Sequence, residues 1–211
     1  KEFITNSNSS NISNISNFSL NELFELDIEE IESLNFQLIK YHNEFEIYKS
    51  SGGFPLVIND FLQNNAISKE TIRIYEDFIL GDIERFSKSR LTLIELLKKI
   101  PQLIGQRFSW NSLNNSINTV EAANTIESYF QMLGMNFIFS TLFFYDFSKK
   151  RIKPKKQKKI YPLDIIITRV IENISGIKIN EGNKMESLVL QNILKFSTDN
   201  TEGLNLYYGP Y

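Results

Sequence analysis

The stretch FIFSTLFFYDFSKKRIKPKKQKKIY, residues 137–161, decides how the chain folds. Its first half alternates. Phe137, Phe139, Thr141, Phe143 and Tyr145 fall on one side of a two-residue period, and Ile138, Ser140, Leu142, Phe144 and Asp146 on the other. β-Branched and aromatic residues in that rhythm predict a strand, and Lys158-Lys159-Ile160-Tyr161 predicts its return across a basic turn. Between them, residues 149–159 carry Lys149, Lys150, Arg151, Lys153, Lys155, Lys156, Lys158 and Lys159 and no acid. These are eight of the 23 basic residues in a chain of 211 with net charge −2; the other 15 face 25 acids, so the remainder stands at −10. A polyanion would meet the chain at this segment.

Upstream, Ser109-Trp110-Asn111-Ser112-Leu113 starts a short helix, and a longer one is predicted from Thr119, its cap, to Gly134. Ile126, Tyr129, Phe130 and Leu133 would face inward, with Glu121, Asn124, Glu127 and Ser128 outward. Two short helices joined by a tight turn and followed by a hairpin give the order of a winged helix-turn-helix, expected over 105–175. Before it, residues 20–104 read as a helical subdomain. Leu23, Phe24, Ile28, Ile31, Leu34, Leu38, Ile39 and Tyr41 recur at spacings of three and four, as in an acidic helix pair that packs one face inward. Gly52-Gly53-Phe54-Pro55 breaks the pattern, Ser68 caps a helix running toward Phe86, and Pro101 ends or kinks one from Leu91 to Ile104. Residues 1–19 contain the Asn/Ser-rich triplets of a flexible polar linker. At the other end, Asp164 to Ile174 reads as a helix closed by Gly176, Asn183 to Phe196 as a second, and Leu204 to Tyr208 as a strand without a partner.

Composition excludes several chemistries. The chain has no cysteine, which removes disulfides, thiolate metal sites and a cysteine nucleophile. The single histidine, His42, lies beside Glu44 and Glu46 on what reads as a solvated helix face. No apolar run reaches membrane-spanning length, so a cytoplasmic protein is expected. No Gly-x-x-x-x-Gly-Lys-Ser/Thr occurs, and without that phosphate cradle the chain should neither bind ATP tightly nor hydrolyse it.

In order, Gly52-Gly53-Phe54-Pro55, Ile79-Leu80-Gly81-Asp82-Ile83, Ser109-Trp110-Asn111-Ser112-Leu113, Thr125-Ile126-Glu127-Ser128-Tyr129 with Leu133, and Lys158-Lys159-Ile160-Tyr161 with Asp164 resemble the C-terminal half of archaeal-type AAA-superfamily ATPases. The resemblance implies a mainly α fold with a small β-hairpin: helical subdomain, winged helix, then the truncated start of a restriction-endonuclease-like α/β domain at 176–211. It further implies an ATPase domain before Lys1, with ATP and Mg²⁺ belonging to that longer protein and no cofactor in this fragment. Glu186 in Met185-Glu186-Ser187-Leu188-Val189 resembles the helix-borne acid that helps that nuclease-like domain hold a divalent ion. A lone carboxylate is a poor magnesium site, so no catalysis is expected from this fragment.

Two functions compete. As a nucleic-acid-binding module the hairpin would lie along DNA phosphates, with Asn124 and Thr125 as the base-reading candidates and little sequence specificity. As a protein-interaction module it would dock the ATPase domain or another subunit, the basic turn meeting acids such as those from Glu22 to Glu32; a homo-oligomer is left open. An anionic-membrane contact lacks an apolar anchor.

Overall fold

A computed structural model describes residues 20–81, 86, 88–119, 122–199 and 206–209. The polar linker at 1–19 lies outside the described residues. The described chain is mainly helical, with one three-stranded sheet. None of its helices is long and apolar enough to cross a membrane.

Helices α1 (Leu20–Glu25) and α2 (Ile28–Leu38) open it. Asp27 caps α2 and forms a reciprocal capping box with Glu30. The apolar spacing predicted an inward-packed face. Instead α2 buries no residue, and Phe24, Ile28 and Ile31 are 80%, 75% and 50% exposed. Periodicity fixes which side chains share a face, and here that face meets solvent.

The helical core comprises α3 (His42–Ser51), α4 (Pro55–Asn64), α5 (Lys69–Gly81) and α6 (Arg90–Lys99). Pro55 sits in the first turn of α4, where its missing N–H costs nothing. The α5 helix is described to Gly81; residues 82–85, on its expected course toward Phe86, lie outside the described residues. Ser89 caps α6, and Pro101 lies in the 3₁₀ turn Ile100–Gln102 that follows it. After the sheet strands, α9 (Ile165–Ser175) returns between α3, α5 and α6. It is the most thoroughly buried helix: Ile165 to Thr168 and Val170 to Glu172 are all sequestered. Asp164 caps it, and Gly176, at φ 69°, closes it in the left-handed conformation that favours glycine.

Glu172 fastens the far end of α9. Its buried carboxylate accepts the Ile179 N–H at 2.9 Å and pairs with Lys184 at 3.1 Å and with Arg169 and Lys178 at 3.3 Å. Burial alone would raise its pKa; the Ile179 N–H and the Lys184 ammonium outweigh burial and hold it below the ordinary value.

Helices α7 (Trp110–Asn114) and α8 (Ala123–Met135) lead into β1 (Phe139–Asp146) and β2 (Arg151–Pro162). Thr119 does not cap α8; its hydroxyl donates to Glu95 at 2.8 Å, and Ala122 occupies the cap position. The return strand starts at Arg151 rather than Lys158, so the basic run is mostly strand and the turn is Phe147 to Lys150. The β1–β2 pairing is antiparallel, from Phe139 opposite Pro162 to Asp146 opposite Arg151. It is interrupted once: Phe143 faces Lys158 and Phe144 faces Lys153, which leaves residues 154–157 as a bulge on β2. Pro154, with no N–H to offer a ladder, suits that position.

The terminal strand has a partner after all. β3 (Tyr207–Tyr208) runs parallel to β1 opposite Phe143 and Phe144, giving the order β2-β1-β3. α10 (Glu181–Asp199) lies against β2 and α9. One cluster of buried apolar residues runs from Val57 through Leu96, Phe130 and Ile160 to Leu190, so the helical part and the hairpin share a single core.

Candidate nucleic-acid interface

Successive residues of a strand point to opposite faces of a sheet, and β1 divides the hairpin in this way. Phe139, Thr141 and Phe143 face α7 and α8, where they line a pocket with Trp110, Glu127 and Phe130. Ser140, Leu142 and Phe144 face the other way. Their side carries Lys159 and Tyr161, the partners of Leu142 and Ser140, which reach α10.

The cations of the basic segment separate by position. Lys149, Lys150, Arg151, Lys155 and Lys156 are exposed and have no ion pair among the described residues. Lys150 takes a left-handed conformation, φ 46°, in the turn. Lys153 pairs with Asp146 across the hairpin. That Lys153 hydrogen bond, joined by the Lys149 N–H, holds the Asp146 carboxyl below its usual range.

Lys158 and Lys159 are not surface cations; they are 2% and 7% exposed. The Lys158 ammonium lies 4.3 Å from the centre of the Trp110 ring. Desolvation lowers its pKa against the opposing pull of Glu127. Lys159 pairs with Glu186 at 3.5 Å. The exposed cationic surface is therefore smaller than the sequence run and is centred on the turn and the bulge.

The aromatic residues beneath it were not visible as a set in sequence. Phe144 and Tyr208 meet edge-on at 5.5 Å. Lys156 lies over Phe144 at 4.9 Å, and the Arg107 guanidinium over Tyr208 at 5.4 Å. Arg107 comes from the segment before α7, whose neighbour Phe108 exchanges backbone hydrogen bonds with Lys158. Only Pro154 inside a strand-like run hinted at a bulge here.

Asn124 and Thr125 are both exposed on the first turn of α8, a helix with no lysine or arginine. Lys88 approaches it from the side, with its ammonium 2.6 Å from the Ser128 hydroxyl and 4.8 Å from the Tyr129 ring centre. Glu186 is engaged by cationic and hydroxyl neighbours: its Oε1 accepts the Tyr161 O–H at 2.6 Å as well as Lys159. Among the described residues no group of three or more His, Cys, Asp or Glu side chains is arranged to hold a metal ion.

The Gly52-Gly53 turn lies away from the hairpin and contacts Asp164. The Gly53 N–H donates to Asp164 Oδ2 at 2.9 Å, while Oδ1 accepts the Ile166 N–H at 2.9 Å. Gln191 of α10 approaches Oδ2 at 3.4 Å and also donates to the Tyr48 hydroxyl at 3.2 Å. Burial raises the Asp164 pKa against these donors. The turn is a structural clasp joining α3, α9 and α10.

Fold and site together define a mainly helical domain carrying a basic, bulged hairpin. Residues 42–177, more than half of the chain, match the family described as a domain of unknown function, DUF8612, and the chain belongs to that family. No curated protein matches the chain, and no solved structure does.

Proposed function

We propose that this chain is a nucleic-acid-binding module of winged-helix type that holds phosphates through its hairpin and reads little sequence. The observation that carries this reading is the presentation of Lys149, Lys150, Arg151, Lys155 and Lys156 on one hairpin of a chain that is otherwise acidic. Element order supports it. The α6 helix, a turn-containing segment whose Ile104 and Phe108 form isolated bridges to β2, then α7, α8 and the β1–β2 hairpin follow one another as helix, helix, helix and wing. In this reading α8 is the helix placed toward a groove. With Asn124 and Thr125 but no cation, it contributes shape rather than affinity.

The AAA-type resemblance extends the proposal. The chain would be a non-catalytic C-terminal portion of a longer ATPase, and the region from 176 onward the start of a nuclease-like domain containing Glu186.

The test is a salt titration of binding to a short fluorescent duplex. Each phosphate contact contributes about 0.9 to the slope of log K against log salt, so a slope of roughly −3 to −5 is expected from the exposed cations. Binding independent of salt, or no binding at low salt, would refute the reading.

Protein docking is the second reading, favoured by the apolar face of α1–α2 on which Phe24, Ile28 and Ile31 are exposed. A stable complex lost on Phe24→Ser/Ile28→Ser, in a chain that does not bind the duplex, would decide for it.

A further inference from the structure

The bulge at residues 154–157 does more than interrupt the ladder. It swings Lys155 and Lys156 over a groove of 570 Å³ that they line with Arg107, Ser109, Phe144 and Tyr208. β3 holds the bulge open: the Tyr208 hydroxyl donates to the Gln157 carbonyl at 2.6 Å, supplying a partner that the interrupted ladder does not. Among the described residues the groove lining contains three cations and no carboxylate, and Arg107 also donates to the Gly209 carbonyl at 3.4 Å. Lys155 and Lys156 have no ion pair among the described residues, and two of the three cations are seated on aromatic faces, Arg107 on Tyr208 and Lys156 on Phe144. Such seating removes part of the side-chain entropy that a mobile lysine or arginine would lose on binding. An arginine fork beside two ammonium groups suits a tetrahedral phosphate better than a planar carboxylate partner alone.

Position matters as much as composition. Phe144, on the groove side, and Phe143, in the pocket beside α8, point to opposite faces of the sheet. We infer that this groove binds a backbone phosphate of nucleic acid on the sheet face turned away from α8, so that the nucleic acid tracks the outer side of the hairpin instead of seating α8. This rests on the phosphate-binding part of the nucleic-acid reading above and moves the contact surface from α8 to the outer face of the hairpin.

The experiment compares the full chain with Lys155→Gln/Lys156→Gln, with the same pair plus Arg107→Gln, with the turn variant Lys149→Gln/Lys150→Gln/Arg151→Gln, and with Asn124→Ala/Thr125→Ala. All are titrated with the fluorescent duplex across a salt series, with circular dichroism confirming the fold. The lysine pair, which makes no contact that the fold requires, keeps the test valid if the Arg107 variant fails to fold. Its slope should become shallower by about 2 units, and its affinity at moderate salt should fall about tenfold or more. Asn124→Ala/Thr125→Ala should bind as the parent does. If the turn variant loses binding while the lysine pair keeps the parent slope, the groove assignment fails and the nucleic-acid reading stands. If Asn124→Ala/Thr125→Ala instead weakens binding more than the lysine pair, the face is misassigned. No duplex binding by the parent chain, with phosphatidylserine vesicles retained in its place, overturns both.

Discussion

Replacing Gly52 by alanine places a methyl group where Asp164 already sits. A Cβ built on Gly52 lies 2.1 Å from Asp164 Oδ1, 2.8 Å from Cγ and 2.9 Å from Oδ2. The backbone there has φ 76° and ψ −158°, a region open essentially to glycine alone and costing other residues about 1–3 kcal/mol. Asp164 would have to withdraw, which strands the Ile166 N–H and the Gly53 N–H. Losing an N-cap costs about 1 kcal/mol, and a buried donor without a partner about 1–3 kcal/mol. Since these losses overlap, Gly52→Ala should cost about 3–5 kcal/mol in urea denaturation followed by circular dichroism. A double-mutant cycle isolates the steric part. Asp164→Ser shortens the obstructing side chain while keeping a capping oxygen, so Gly52→Ala should cost at least about 1 kcal/mol less in that background. Strict additivity, or a cost below about 1 kcal/mol for Gly52→Ala alone, would refute the clasp.

Trp110, stacked on Phe130 at 4.9 Å and only 8% exposed, should cost about 3–5 kcal/mol as Trp110→Ala. Among the described residues its Nε1 has no hydrogen-bond partner, so Trp110→Phe should cost well under half of that; equal losses would show that the indole N–H matters. Lys158→Met should leave duplex affinity within about twofold of the parent, because the ammonium it removes is buried against Trp110; a shallower salt slope in that variant would place Lys158 on phosphate. Asp60 accepts the Ser68 N–H at 2.7 Å, which holds its pKa down to about 2 from 3.8. A depressed carboxylate stabilises above its unfolded pKa and loses that contribution as pH falls from 3.8 toward about 2. Asp60→Asn should flatten stability against pH in that acid window, and an unchanged profile would count against the assignment.

Local chemistry was legible where one residue decides the backbone. Pro55 marks the start of α4, Asp164 and Gly176 bound α9, and the alternation from Phe139 to Tyr145 is visibly a strand. The start of β2 was not. Arg151 to Lys153 has one β-branched residue, Ile152, and it is the register with β1, not its own propensity, that holds this stretch extended. Charge misled in the same place: a lysine run reads as solvated, yet Lys158 finds a ring to cover it and Lys159 a carboxylate. The groove was invisible because Arg107, Phe144 and Tyr208 are far apart in sequence. The α1–α2 face was seen correctly as a stripe, but a stripe does not say what lies opposite it.

The shared core has a consequence for how this protein comes apart. Ile160 on the hairpin and Val170 on α9 lie in the same apolar cluster as Val57 of α4, so cutting the chain near residue 104 would expose the interior of both pieces rather than release two folding modules. Melting should therefore be a single cooperative event across this region, with α1 and α2 exchanging their amide protons long before it. The stretch recognised as DUF8612, from His42 at the start of α3 to Ile177 just past the end of α9, holds most of that cluster, while Ile179 and Leu190 extend it to α10. The hairpin therefore belongs to the body that steadies it and does not come free as a module.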